Sequence, residues 1–374
     1  MRITSIETRV LGYDIAEAFG EAGPPEGITT TFYRTTLDTI HTDEGIDGYT
    51  MQNANIGDGA AMAHVLHQVY APHLVGEDPL LIEGLWHKLR RLNRHAYNLS
   101  DGVAATLDVA LWDIRGKAAN QPVATMLGLA RTSIGVYATA RTINPVPEQV
   151  YEEAKLRKAE GYHGFKIQFW DGLERDVPRF RAAREAVGDS YPLMQDAAGM
   201  YSFTEALAAG RVLEDLDYTW FEEPIPDRQL LQLRRLTDDL RVPILAGETL
   251  RLHELPEFIR QGAFDIARGD VHLKEGITGL RKAAAMAELF GFDIEIHGIG
   301  QPILDLANLH VALAIQNCRW VENFHPLYAR GVKVGSLDMD ANGLRHLPPG
   351  PGLGAELDWD WIDNVTQEVI RTPS

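Results

Sequence analysis

Apolar and polar positions along the chain fall into two textures. In the first third, alternating and β-branched patterns over residues 2–11 and 31–41 predict strands, because successive strand side chains point to opposite faces. Asp43-Glu44-Gly45 and Asp47-Gly48 are turn signals between short strands. The Gly/Pro-rich stretch at about residues 14–29 reads as an exposed loop able to cover a neighbouring site. Residues 58–74, 79–94 and 101–120 then carry helical apolar spacing. Together these predict an α+β unit over residues 1–130.

From about residue 134, short apolar runs alternate with longer amphipathic stretches. The runs are Gly135–Arg141, Gly164–Phe169, Tyr191–Ala197, Tyr218–Pro224, Pro243–Thr249, Phe264–Asp270, Phe292–Gly298 and Cys318–Phe324, eight in all. Ser202-Phe203-Thr204-Glu205 opens one intervening stretch as a capping box, in which Ser and Glu satisfy each other's free backbone amides. Eight strand–helix repeats over 131–325 predict an α/β fold, a (β/α)8 TIM barrel, with working side chains at the C-terminal strand ends. After Phe324 the chain turns Gly/Pro-rich, as in Leu347-Pro348-Pro349-Gly350-Pro351-Gly352-Leu353-Gly354. The last helix is therefore expected to be missing or replaced, giving a (β/α)7β-like barrel. Residues 326–374 are expected to return and complete a capping domain with the first unit.

Composition narrows the partners. The 374 residues are 45% apolar, enough for a sizeable core. They carry 53 acidic against 35 basic side chains, a formal charge of −18. Such a chain is no general binder of nucleic acid or anionic membrane, since both need clustered Lys and Arg. Solubility is the default explanation of the acidity; carboxylates gathered on a metal are the sharper one. The single cysteine, Cys318, excludes an intramolecular disulfide. Met1–Glu7 lacks the apolar core of a signal peptide, and no apolar run reaches the roughly 18 residues of a membrane span, so a cytoplasmic protein is expected.

The polar residue near the end of each run supplies the chemistry. These are Lys166 and Gln168, Asp196, Glu222 or Glu223, Glu248, Asp270, His297 and Glu322. From Asp196, through Glu222, the steps are 26, 26, 22, 27 and 25 residues, close to one barrel repeat each. The side chains would therefore ring one end of the barrel. Asp196, Glu222 and Glu248 form an all-oxygen set on adjacent strands, which suits Mg2+ better than zinc. Asp270 beside His297 would fix the imidazole tautomer and raise its basicity. Tyr137, Arg141, Trp170 and His325, also near run ends, are candidate substrate contacts. His272 and Lys274 lie just past the sixth run with no assigned role.

At these residues the chain resembles the mandelate racemase subgroup of the enolase superfamily, over nearly its whole length. Asp43-Glu44-Gly45-Ile46-Asp47-Gly48, Trp112-Asp113-Ile114-Arg115-Gly116-Lys117 and Pro351-Gly352-Leu353-Gly354-Ala355-Glu356 resemble segments of that family's cap and its ending. Phe221-Glu222-Glu223-Pro224 and Ala246-Gly247-Glu248-Thr249 resemble its second and third metal-ligand motifs, making Glu222 the ligand of its pair. Gly269-Asp270, Gly276-Ile277-Thr278-Gly279 and His297 resemble its Asp–His dyad, and Glu322 its acidic contact to the substrate carboxylate. The resemblance implies Mg2+, a homo-oligomer and a small-molecule carboxylate substrate. It also implies Lys-x-Lys on the second strand, where this chain has Lys166-Ile167-Gln168. Gln168 is an amide and cannot accept a proton near pH 7.

The shared step of that family is removal of the proton α to a carboxylate. Lys166 would add positive charge beside that carboxylate, and Glu322, if protonated, would donate a hydrogen bond to it. With one base present, the expected reaction is acid-sugar dehydration to a 2-keto-3-deoxy acid, catalysed by His297, Asp270, Lys166 and Glu322. The alternatives are a racemase, epimerase or cycloisomerase, and a silent sugar-acid-binding protein that lost turnover.

Overall fold

Strand β1 (Ile3–Asp14) pairs antiparallel with β2 (Phe32–Thr42), and β2 with β3 (Gly48–Gln52). The structure, a computed structural model, describes residues 1–14, 32–52, 59–93, 101–140, 145–323, 330–333 and 337–373. Ile3, Ile6, Leu11, Leu37, Ile40 and Met51 of this sheet are buried; helices α1 (Gly59–Val65) and α3 (Asp101–Ala119) pack on the sheet, and α2 (Ile82–Asn93) and α4 (Val123–Leu127) pack on α3. Helix α3 is buried along most of its length, so its polar residues have specific partners. Asp113 accepts from Tyr49 N at 3.0 Å and from Leu353 N at 2.9 Å, tying β3 to the C-terminal tail. A Cβ on Gly116 would lie 2.6 Å from Gly352 Cα, so the helix and the tail meet backbone to backbone.

Eight barrel strands coincide with the predicted runs, the first beginning two residues before its run. They are β4 (Ser133–Thr139), β5 (Phe165–Gln168), β6 (Leu193–Asp196), β7 (Trp220–Glu222), β8 (Ile244–Ala246), β9 (Ile266–Gly269), β10 (Asp293–Ile296) and β11 (Trp320–Asn323). Neighbours are parallel, and β11 pairs back onto β4 to close the barrel. Helices α5 (Pro147–Ala159), α6 (Leu173–Val187), α7 (Phe203–Asp215), α8 (Leu230–Asp239), α9 (Leu255–Gln261), α10 (Gly276–Leu289) and α11 (Pro302–Ala314) follow the first seven strands. The capping box of α7 is formed: Ser202 N donates to Glu205 at 2.9 Å and Glu205 N to Ser202 Oγ at 3.3 Å.

Among the described residues no helix follows β11 until α12 (Trp359–Val365), as the (β/α)7β expectation required. In its place β12 (Leu344–His346) runs antiparallel along Ser133–Gly135 of β4. Strand β13 (Thr366–Thr372) then pairs with the free edge of β1, so the cap sheet runs β13-β1-β2-β3. Among the described residues no helix is long and apolar enough to cross a membrane.

The cap rests on the strand-exit end of the barrel. Asp108 of α3 accepts from Thr278 N at 2.9 Å and Thr278 Oγ1 at 2.7 Å at the start of α10. Trp86 Nε1 donates to Glu275 O at 2.7 Å. Gln301, past β10, donates to Tyr33 Oη at 2.6 Å and accepts from Thr35 Oγ1 at 3.2 Å. Inside the barrel, Tyr137, Met194, Trp220, Leu245 and Trp320 form an apolar layer, which leaves the charged residues of the same strands to converge elsewhere in the interior.

Candidate active site

Gln168, Asp196 and Glu222 are in register across β5, β6 and β7, which puts their Cα atoms at one level. Glu248 follows β8 by two residues, and Asp270 follows β9 by one. Among the described residues, no three of His, Cys, Asp and Glu stand close enough to grip an ion as they are. Two cations stand between the carboxylates. Lys166 Nζ lies 3.2 Å from Asp196, 3.1 Å from Glu222 and 2.8 Å from Glu322. Arg268 Nε lies 2.8 Å from Glu222 Oε1 and 3.8 Å from Glu248, while its Nη2 is 2.5 Å from Glu322.

Arg268 is absent from the set read off the sequence. That reading took the residue closing each run, and Arg268 sits two before Asp270 in the middle of one. The period of two was the available signal, since a charge within an apolar strand on the face of the closing carboxylate points to the same site.

Glu322 is an acceptor only. Its oxygens receive Thr139 Oγ1, Lys166 Nζ, Arg268 Nη2 at 2.5 Å and Gly298 N at 3.0 Å. Burial would raise its pKa, but Lys166, Arg268 and His297 outweigh it and hold the group below the usual carboxylate range. The expectation of a protonated, donating Glu322 is corrected: its lone pairs are already occupied by donors and cations.

Glu222 and Glu248 are shifted the other way. Burial raises both; Arg268 and Lys166 beside Glu222, and His297 and Arg268 beside Glu248, offset only part of it, and neighbouring carboxylates add to the rise. Glu223 is pushed up to about 11 by burial, then by Glu248, Asp227 and Asp196. Glu222 Oε1 is buried without a hydrogen bond, because its close approach to Arg268 Nε is poorly aligned. Hard oxygen donors, destabilised as anions and including one unbonded buried oxygen, fit a hard divalent cation.

The dyad is formed. His297 Nδ1 lies 2.7 Å from Asp270 Oδ2, and Nε2 faces Glu248 at 3.9 Å. Burial would lower the His297 pKa, but Glu248 and Asp270 raise it to about 9. Asp270 is kept low, against burial, by the same histidine. Asn308 Nδ2 donates to His297 O at 3.0 Å and its Oδ1 accepts from Val271 N at 2.9 Å, bracing both members.

The expected substrate contacts divide. Gln168 is partly exposed at the end of β5, and Trp170 is exposed just beyond it. Tyr137 is fully buried, with its hydroxyl 2.9 Å from Arg268 Nη1, so it supports that arginine and has no surface for a substrate. Arg141, His325 and residues 15–29 of the expected covering loop lie outside the described residues.

Two family models match. Residues 28–128 match the mandelate racemase/muconate lactonizing enzyme N-terminal domain, and residues 149–361 the enolase C-terminal domain-like family. The chain is a member of the enolase superfamily, in its mandelate racemase group. This superfamily member is 33% identical to the arabinonate dehydratase of Saccharolobus solfataricus, over 84% of its own length and 86% of the relative's. It is 30% identical to the D-galactarolactone cycloisomerase of Agrobacterium fabrum, over 96% and 97% of the two chains. The D-glucarate dehydratase of Agrobacterium tumefaciens, solved with magnesium, superposes with a TM-score of 0.88 at 32% identity, covering 98% of this chain and 100% of that one. Enolase-superfamily enzymes similar to this chain thus include both dehydratases and a cycloisomerase.

Proposed function

We propose that this enzyme is a Mg2+-dependent dehydratase of sugar acids. The observation that carries the reading is the single histidine base, 2.7 Å from Asp270, with an amide at position 168 where the family places a second base. Asp196, Glu222 and Glu248 would hold Mg2+, which when bound supplies charge stabilisation to the substrate carboxylate as it becomes a dianion.

The chain's own residues do the rest. Neutral His297 takes the α-proton on Nε2, while Asp270 holds Nδ1–H and stabilises the imidazolium. The C–H electron pair becomes the C2=C3 bond, and the C3–O bond breaks. His297, now charged, returns its proton to the departing hydroxyl, which leaves as water. The enol then ketonises to a 2-keto-3-deoxy acid. Lys166, buried and held by Asp196, Glu222 and Glu322, would reach the substrate carboxylate by releasing one of these three, and Arg268 keeps Glu322 ionised and placed.

The second reading, cycloisomerisation, is favoured by the 30% identity to a cycloisomerase over almost the whole chain. One experiment separates the two. Purified protein with Mg2+ is given aldonic acids, aldaric acids and their lactones in D2O and followed by proton NMR and a 2-keto-acid assay. Dehydration gives a keto acid. Lactone opening or α-proton exchange without keto acid would replace the dehydratase reading. Saturable binding with no product at all would leave a silent binding protein.

A further inference from the structure

Lys274 is fully buried, and its three N–H donors all go to backbone carbonyls. They reach Gly247 O at 2.8 Å, Glu248 O at 2.7 Å and Leu250 O at 2.8 Å. An ammonium has three donors, so this one has none left for substrate. The same turn is gripped from the opposite polarity by buried Asp227. Its Oδ1 accepts from Gly247 N at 2.7 Å, and its Oδ2 from Thr249 N at 2.7 Å and Thr249 Oγ1 at 2.9 Å. One cation therefore holds the carbonyls and one anion holds the amides of the turn carrying Glu248.

Local geometry is arranged around this clamp. Gly247 has φ +100°, a conformation other residues rarely adopt. A Cβ on Gly269 would lie 2.7 Å from Lys274 Cγ and 2.8 Å from Cε, so the lysine stem passes only because position 269 is glycine. Lys274 also sits in the turn that Asp270 opens. Asp270 Oδ1 accepts from Leu273 N at 2.7 Å, and Lys274 N donates to Asp270 O at 2.9 Å.

We propose that Lys274 and Asp227 are positioning residues for Glu248, and that their clamp on its turn sets the affinity for the divalent cation. This rests on the assignment of Glu248 as a metal ligand. Because Lys274 lies four residues after Asp270, in the turn that Asp270 opens, one turn places both the dyad carboxylate and Glu248. Partners behind a metal ligand commonly change affinity about 10–100-fold when removed.

The test titrates Mn2+, read by the electron paramagnetic resonance of the free ion, into full-length wild type, E248Q, K274M and the isosteric D227N. Thermal melts are recorded on each. K274M and D227N are expected to weaken Mn2+ binding about 10–100-fold, and E248Q at least as much. A purely structural role would lower the melting temperature and leave affinity unchanged. If E248Q binds like wild type, the metal assignment fails and the positioning proposal with it. If E248Q weakens binding while folded K274M and D227N do not, the positioning proposal alone is overturned. If K274M fails to fold, D227N decides. If both fail, amide exchange in wild type decides: Gly247 and Thr249 amides exchanging as fast as open loop overturns the clamp.

Discussion

His297 is under opposing demands. A base must be neutral, yet Glu248 and Asp270 raise its pKa to about 9 against the lowering effect of burial. Removing the Glu248 charge must therefore lower the value. In metal-free protein, Glu248→Gln is expected to shift the His297 titration toward lower pH, read by NMR of the imidazole; an unchanged or raised value contradicts the electrostatic account. His297→Asn is expected to cut turnover by about 10²–10⁴ and to leave Mn2+ affinity within about twofold of wild type. Retained turnover would remove His297 from the mechanism. At this scale the residues that close strands were legible, because a polar side chain ending an apolar run is visible in one dimension. Arg268 was not, because its partners come from three other strands and the turn after a fourth. Lys274 was visible only as a residue without a role, since its partners are backbone atoms that carry no sequence signal.

Two histidines bind the tail to the rest of the molecule. His310 of α11 accepts from Ala124 N of α4 at 3.0 Å, and its Nε2 is 3.1 Å from Leu353 O. His67 lies 2.9 Å from Thr8 Oγ1 of β1 and 2.7 Å from Thr372 Oγ1 of β13. Burial pushes His310 down to about 4 and lowers His67 as well. Between pH 6.5 and about 4 the unfolded chain then binds a proton at position 310 that the folded chain refuses, so stability falls as pH falls through that window. For His310 alone the loss amounts to roughly 3 kcal/mol at the acid end. Acidification is expected to loosen residues 353–373 first, seen as faster amide exchange and proteolysis there. Uniform loosening of the barrel at the same pH would refute this. The eight barrel strands were legible because apolar runs and helical stretches alternate regularly. Their ends ran long by one to three residues, since most runs were read out to polar or glycine residues that lie in the turns after the strands. Strands β12 and β13 were not legible. β13 is mostly exposed and has no alternating face, so only its pairing with β1 makes it a strand.

The charge of −18 belongs mostly to the surface, but its part within the barrel has a thermodynamic consequence. A ligand that binds only the folded state stabilises it by about 2.7 kcal/mol at one hundred times its Kd. Mg2+ is therefore expected to raise the melting temperature of wild type, and the rise should shrink in Glu222→Gln. An equal rise in both would place the ion elsewhere. The sheet order β13-β1-β2-β3 has a consequence in time. Strand β1 precedes the barrel in the chain and β13 follows it, so the outer edge of β1 has no partner until residues 366–372 are made. The cap must therefore wait, with an open edge, while the whole barrel is synthesised and folds. The cap sheet is completed only after the barrel, so a product that stops before residue 366 would carry all the catalytic residues and still lack the β13 edge of its cap.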